Sequence, residues 1–73
     1  MSESKATRLR KAILCLYADD TQAREITVED VQRRWSFLSS SGYGVIDIVK
    51  IANSDDIDEA VFSRLMKCLN SHL

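Results

Sequence analysis

Apolar residues recur at helical spacing in four segments of the chain, and short polar connectors separate these segments. The first segment runs from about residue 5 to residue 18 and predicts an amphipathic helix. Ser2 or Ser4 is expected to cap it, and Glu3 lies where the helix dipole favours a negative charge. One side of this segment carries its apolar residues, which are Ala6, Leu9, Ala12, Ile13, Leu16 and Tyr17.

The second segment has the clearest start signal in the sequence. Thr27 is predicted to be the N-cap of a helix, with Glu29 and Asp30 in the first turn, where acidic side chains are favoured. Residues 39–44 contain both glycines of the chain and are expected to end this helix. Its apolar stripe is narrow and consists of Val28, Val31, Trp35 and Leu38.

The third segment, residues 45–53, is ambiguous. Its many β-branched residues favour a strand. In a strand, however, Asp47 would share a face with Val45 and Val49, and the only other candidate strand is the short stretch 25–28. We therefore predict a short, deeply buried helix and keep a strand as the alternative.

The fourth segment predicts a helix from about residue 56 to residue 72. Ser54 or Asp55 is expected to cap it, and helix capping would account for every acid in the run 55–59. Phe62 and Met66 widen its apolar arc to about half of the circumference, more than the roughly 100° that a surface helix needs. The stripe that they widen consists of Ile57, Val61, Leu65, Cys68, Leu69 and Leu73.

These segments predict a single all-α domain over residues 1–73, folded as a compact bundle of three to four short helices. The chain has no proline and only two glycines, which weighs against an all-β fold. A chain of 73 residues is too short to bury all of its apolar side chains alone, so self-association is expected. The predicted core consists of Leu16, Trp35, Ile48, Leu65 and Leu69.

Composition narrows the possible classes of function. The formal net charge is -1 and apolar residues make up 45%, which argues against disorder and against a typical basic nucleic-acid binder. The N-terminus is polar, and no apolar run of about 18 residues occurs, so we expect a cytoplasmic protein. In the cytoplasm Cys15 and Cys68 would stay reduced, and we assign them no redox role.

Catalytic and metal-binding groups are scarce. The only histidine is His72, the penultimate residue, and both glycines lie in one loop that lacks the pattern of a nucleotide-binding motif. The acidic run 55–59 lacks the ligand spacing of an EF-hand. We therefore expect no enzymatic activity, no cofactor and no metal site.

The surplus of apolar side chains favours a protein partner. Phe37, Phe62 and Met66 are the residues that we expect to contact it, unless the bundle closes around them. The chain would then be a small accessory protein of the bacterial or phage kind, a dimer or larger assembly, that regulates a larger protein by docking on it.

A helix-turn-helix DNA-binding regulator is the alternative. Segments two and three would form the motif, and Arg8, Lys11, Arg33 and Arg34 would approach the DNA backbone. Two features weigh against this function. The loop 39–44 is longer than the usual turn, and segment three offers little besides Lys50 and Asp47 to read bases.

Overall fold

The computed structural model describes residues 4–16 and 23–70, and the regular secondary structure of these residues is helical, with no strand. The helices are α1 (Lys5–Leu14), α2 (Val28–Arg33), α3 (Trp35–Leu38), α4 (Val45–Asn53) and α5 (Glu59–Asn70), with a 3₁₀ turn at Ser39–Ser41. The predicted all-α bundle is confirmed. Its Cα radius of gyration of 11.0 Å is close to the ~11 Å expected for a compact chain of this length.

Helix α1 begins where its cap was predicted but ends early. The Oγ of Ser4 accepts a hydrogen bond from the Thr7 amide at 3.1 Å. Cys15 adopts the left-handed conformation, with φ of 60°, and the Cys15 and Leu16 amides bond back to the carbonyls of Ala12 and Lys11. This Schellman closure ends the helix at Leu14, so its predicted extension to residue 18 is wrong. Glu3, Tyr17 and Ala18 lie outside the described residues.

Helix α2 is started by the predicted cap. The Thr27 Oγ1 accepts from the Asp30 amide at 3.3 Å, and the Asp30 carboxylate accepts from the Thr27 amide at 2.9 Å. This reciprocal pair is a capping box. The segment does not continue as one helix, because Arg34 leaves helical geometry and separates α2 from α3.

Helix α4 confirms the helix predicted over residues 45–53 and rules out the strand alternative. The prediction of deep burial is wrong, since only Ile48 and Ala52 are buried and the Ile46 side is open to solvent. The reason is that α4 packs against α1 and α2, which cover one side of it.

Helix α5 begins at Glu59, three residues later than predicted. Ser54 ends α4 instead of capping α5, and its Oγ accepts from the Asp56 amide at 3.2 Å to form a turn. Ile57, in the linker after this turn, is drawn into the core. The cap predicted at Ser54 or Asp55 is therefore wrong. His72 and Leu73 lie outside the described residues.

The core is built where the helices meet. Ile48 and Leu65 are fully buried as predicted, and Trp35 and Leu69 are partly buried against the core. Leu16 follows the end of α1 and is only half-buried, so its assignment to the core is wrong. In the described parts of the chain no helix is long and apolar enough to cross a bilayer. The buried apolar side chains are Ala6, Leu9, Ile13, Ile26, Val31, Leu38, Ile48, Ala52, Ile57 and Leu65.

Candidate interaction surfaces

The aromatic side chains predicted to contact a partner are partly used within the fold. Phe62 and Met66 are half-buried and pack against the core, and the Arg8 guanidinium lies 5.5 Å from the centre of the Phe62 ring. Phe37 is also half-buried, with the Arg34 guanidinium 5.9 Å from its ring centre. The three side chains are therefore divided between α3 and α5, and a different arginine lies over each of the two phenylalanine rings.

The most exposed large apolar side chain in the described residues is Ile46, at 55%. It lies in the first turn of α4, and its helical neighbours Val45 and Val49 are half-buried. We refer to Val45, Ile46 and Val49 as the α4 face. Among the residues that the structure describes, Val28, at 37%, is the other large apolar side chain that is exposed. This face has a signal in the sequence, because six of the nine residues of α4 are apolar and one packed side cannot bury them all.

A groove of about 230 Å³ lies between the C-terminal end of α4 and the start of α5. Ile51, Ile57 and Val61 form its mainly apolar floor. Lys50, Ser54, Asp56 and Asp58 form its rim. We refer to it as the α4–α5 groove. The periodicity of the sequence did not reveal this groove. Periodicity does not describe the shape of a linker, and Ile57 enters the core from the linker between α4 and α5.

A second groove, of about 340 Å³, lies between the end of α1 and α2. Its polar groups satisfy one another. Arg24 binds the Asp30 carboxylate through Nη1 at 2.7 Å and Nη2 at 2.9 Å, and the Arg34 Nε donates to the Ile13 carbonyl at 3.2 Å. Leu16 and Arg24 also line this groove.

The Arg24 hydrogen bonds are the largest influence on Asp30. Together with the bonds from Thr27, they outweigh the opposing effect of burial and hold the pKa of the Asp30 carboxyl well below its ordinary value. The same contact raises the pKa of Arg24. An ion pair so well satisfied stabilises the start of α2 and offers little to a ligand.

The basic residues of the DNA-binding alternative are scattered among different contacts. Arg8 covers Phe62, and Lys11 is only 6% exposed. Arg33 pairs with Glu29 at 2.9 Å, while Arg34 bonds to the end of α1. The DNA-binding alternative would need these cations to contact the phosphates of DNA, and these contacts within the fold already use them.

Metal ligands do not converge in the described part of the chain, where no group of three histidine, cysteine or acidic side chains is placed to hold an ion. Cys15 is exposed and Cys68 is half-buried, and neither forms a disulfide within the part of the chain that the structure describes. The Ser40 hydroxyl lies 3.6 Å from the Cys68 sulfur.

Comparison with known proteins identifies no relative: no family model, curated protein or solved structure matches the chain.

Proposed function

We propose that this chain is a non-enzymatic regulatory or adaptor protein of the cytoplasm that acts by binding other proteins, including copies of itself. The observation that carries the proposal is the α4 face, where Ile46 is 55% exposed beside two half-buried valines. Fully burying an isoleucine contributes about 1.5–3 kcal/mol, so covering the exposed half of Ile46 would contribute roughly half of that.

The exposed composition of α4 favours a protein partner over DNA. The exposed side chains of this helix are Ile46, Asp47 and Lys50, which are one apolar, one acidic and one basic group. A recognition helix in the major groove needs donors and acceptors aimed at base edges and tolerates acids poorly near phosphates. A mixed apolar and charged face is typical of protein interfaces.

Affinity capture with variant baits tests the proposal. Wild-type protein, Ile46→Asp and Ser63→Asp are used as baits in lysate of the cells that make the chain, with and without nuclease treatment. Asp is compatible with the first turn of α4, so Ile46→Asp should fold. Ser63→Asp adds the same charge at an exposed position of α5 and serves as the matched control.

We expect wild type and Ser63→Asp to retain the same protein, whether a larger partner or an untagged copy of the chain, and Ile46→Asp to lose it. Equal retention by all three baits would contradict a role for the α4 face. Retention that disappears with nuclease would favour the DNA-binding alternative.

A further inference from the structure

We propose that the α4–α5 groove binds a basic, partly apolar segment of the partner protein. The inference rests on the proposed function and adds a second contact between the chain and its partner. The groove and the α4 face lie on opposite sides of Lys50. Lys50 lies one turn after Ile46 on α4 and also lines the groove, so one partner can reach both surfaces.

The size of the groove favours side chains of a docking segment over a small ligand. Its volume of about 230 Å³ is below the roughly 300–1,000 Å³ of pockets that enclose small molecules. Its floor of Ile51, Ile57 and Val61 is apolar, which suits one or two aliphatic or aromatic anchors. Val61 and Ile51 are half-buried, so part of this floor remains open to solvent.

The charge around the groove indicates which sign of charge its occupant should carry. Among the residues that line the groove, Asp56 and Asp58 are exposed acids and Lys50 is an exposed base. The adjoining residues Asp55 and Glu59 are also exposed and acidic. Helix capping accounts for acids at or next to the start of α5, which is Glu59. Asp55 and Asp56 precede that start by four and three residues, and Asp56 lines the groove. This acidic rim favours lysine or arginine side chains on the occupant.

Peptide binding to the intact chain tests the inference. The probe is a fluorescent 14-residue peptide of leucine and lysine with helical amphipathic spacing. A leucine and glutamate peptide of the same pattern and a lysine and serine peptide are the comparisons. Fluorescence anisotropy measures affinity, and amide shifts in ¹⁵N spectra locate the site.

We expect the leucine and lysine peptide to bind best and to shift amides between residues 50 and 61. Asp56→Asn/Asp58→Asn should weaken its binding by about threefold to tenfold and reduce the salt dependence. Asparagine retains the ability to cap α5, so this variant should keep its fold. Glu25→Gln/Glu29→Gln changes the net charge equally, away from the groove, and should leave the affinity close to that of wild type.

Several results would overturn the inference. One is that the two double variants weaken peptide binding equally. Another is that the amide shifts are confined to residues outside 50–61. The third is that the leucine and glutamate peptide binds as well as the leucine and lysine peptide. Capture of a protein by the wild-type bait without peptide binding at residues 50–61 would refute this inference alone. Peptide binding in the groove of a chain that captures no protein would refute the proposed function alone.

Discussion

Asp30 makes hydrogen bonds with two nearby residues at once. Its carboxylate closes the capping box with Thr27, receives both terminal nitrogens of Arg24, and is almost fully buried, at 4% exposure. The position of Asp30 in the first turn of α2 was evident from the sequence. Its pairing with Arg24 was not, because Arg24 lies in a connector that has no periodic pattern.

Asp30→Asn should lower the free energy of unfolding by about 1–3 kcal/mol at neutral pH, since it removes a charge-assisted hydrogen-bond network. This difference should shrink as the pH falls below about 4. The pKa of Asp30 is lowered in the folded state, whereas the unfolded chain takes up the proton near the ordinary aspartate pKa of ~3.9. The unfolded state therefore binds more protons in this range, and wild type loses stability as the pH falls.

Urea unfolding of both proteins between pH 7 and pH 2.5 measures this effect. A difference between them that stays constant down to the lowest pH would show that the lowered pKa of Asp30 contributes no stability.

At the scale of elements, the turn that joins α3 to α4 depends on one of its two glycines. Gly42 has a φ of 88°, in the left-handed region, and a Cβ built there would meet no atom within 4 Å. Gly44 has a φ of -77° and is the N-cap of α4, without a side chain to cap the helix. The same substitution at these positions should therefore have opposite effects.

Gly42→Ser should destabilise the fold by about 1–2 kcal/mol through backbone strain. Gly44→Ser should stabilise it by about 0.5–1 kcal/mol, because a serine hydroxyl can accept from the first turn of α4. The nearest atom to a Cβ at Gly44 is an Asp47 carboxylate oxygen at 3.7 Å, which is an ordinary contact. Thermal unfolding of the two variants measures both effects, and a change of the same sign at both positions would contradict the account.

The helices themselves could largely be predicted, because periodicity and caps are local. Thr27 and the helix over residues 45–53 were predicted from neighbouring residues alone. The C-terminal end of α1 and the start of α5 were missed, since the left-handed Cys15 and the buried linker residue Ile57 depend on contacts that the periodicity of the sequence does not express. The same limit applies to exposure: the sequence pointed to Phe37, Phe62 and Met66 as contact residues, all of which are half-buried, and did not single out the more exposed Ile46.

At the scale of the whole molecule, α4 lies between the core and both candidate surfaces. Ile48 and Ala52 fix it against α1 and α2, which leaves Ile46 in solvent and Ile51 beside the groove. Among the described residues, the Ile46 side of this apolar helix stays uncovered. A partner protein or a second copy would provide the missing cover, and this is the central claim of the proposed function.

Site-specific photo-cross-linking from position 46 tests that claim most directly. A benzophenone amino acid replaces Ile46 in one variant and Ser63 in a control, and both are irradiated inside the cells that make the chain. We expect protein adducts from position 46 and none from position 63, with mass spectrometry distinguishing a second copy from another protein. Adducts to nucleic acid alone, or protein adducts no stronger at position 46 than at position 63, would contradict the claim.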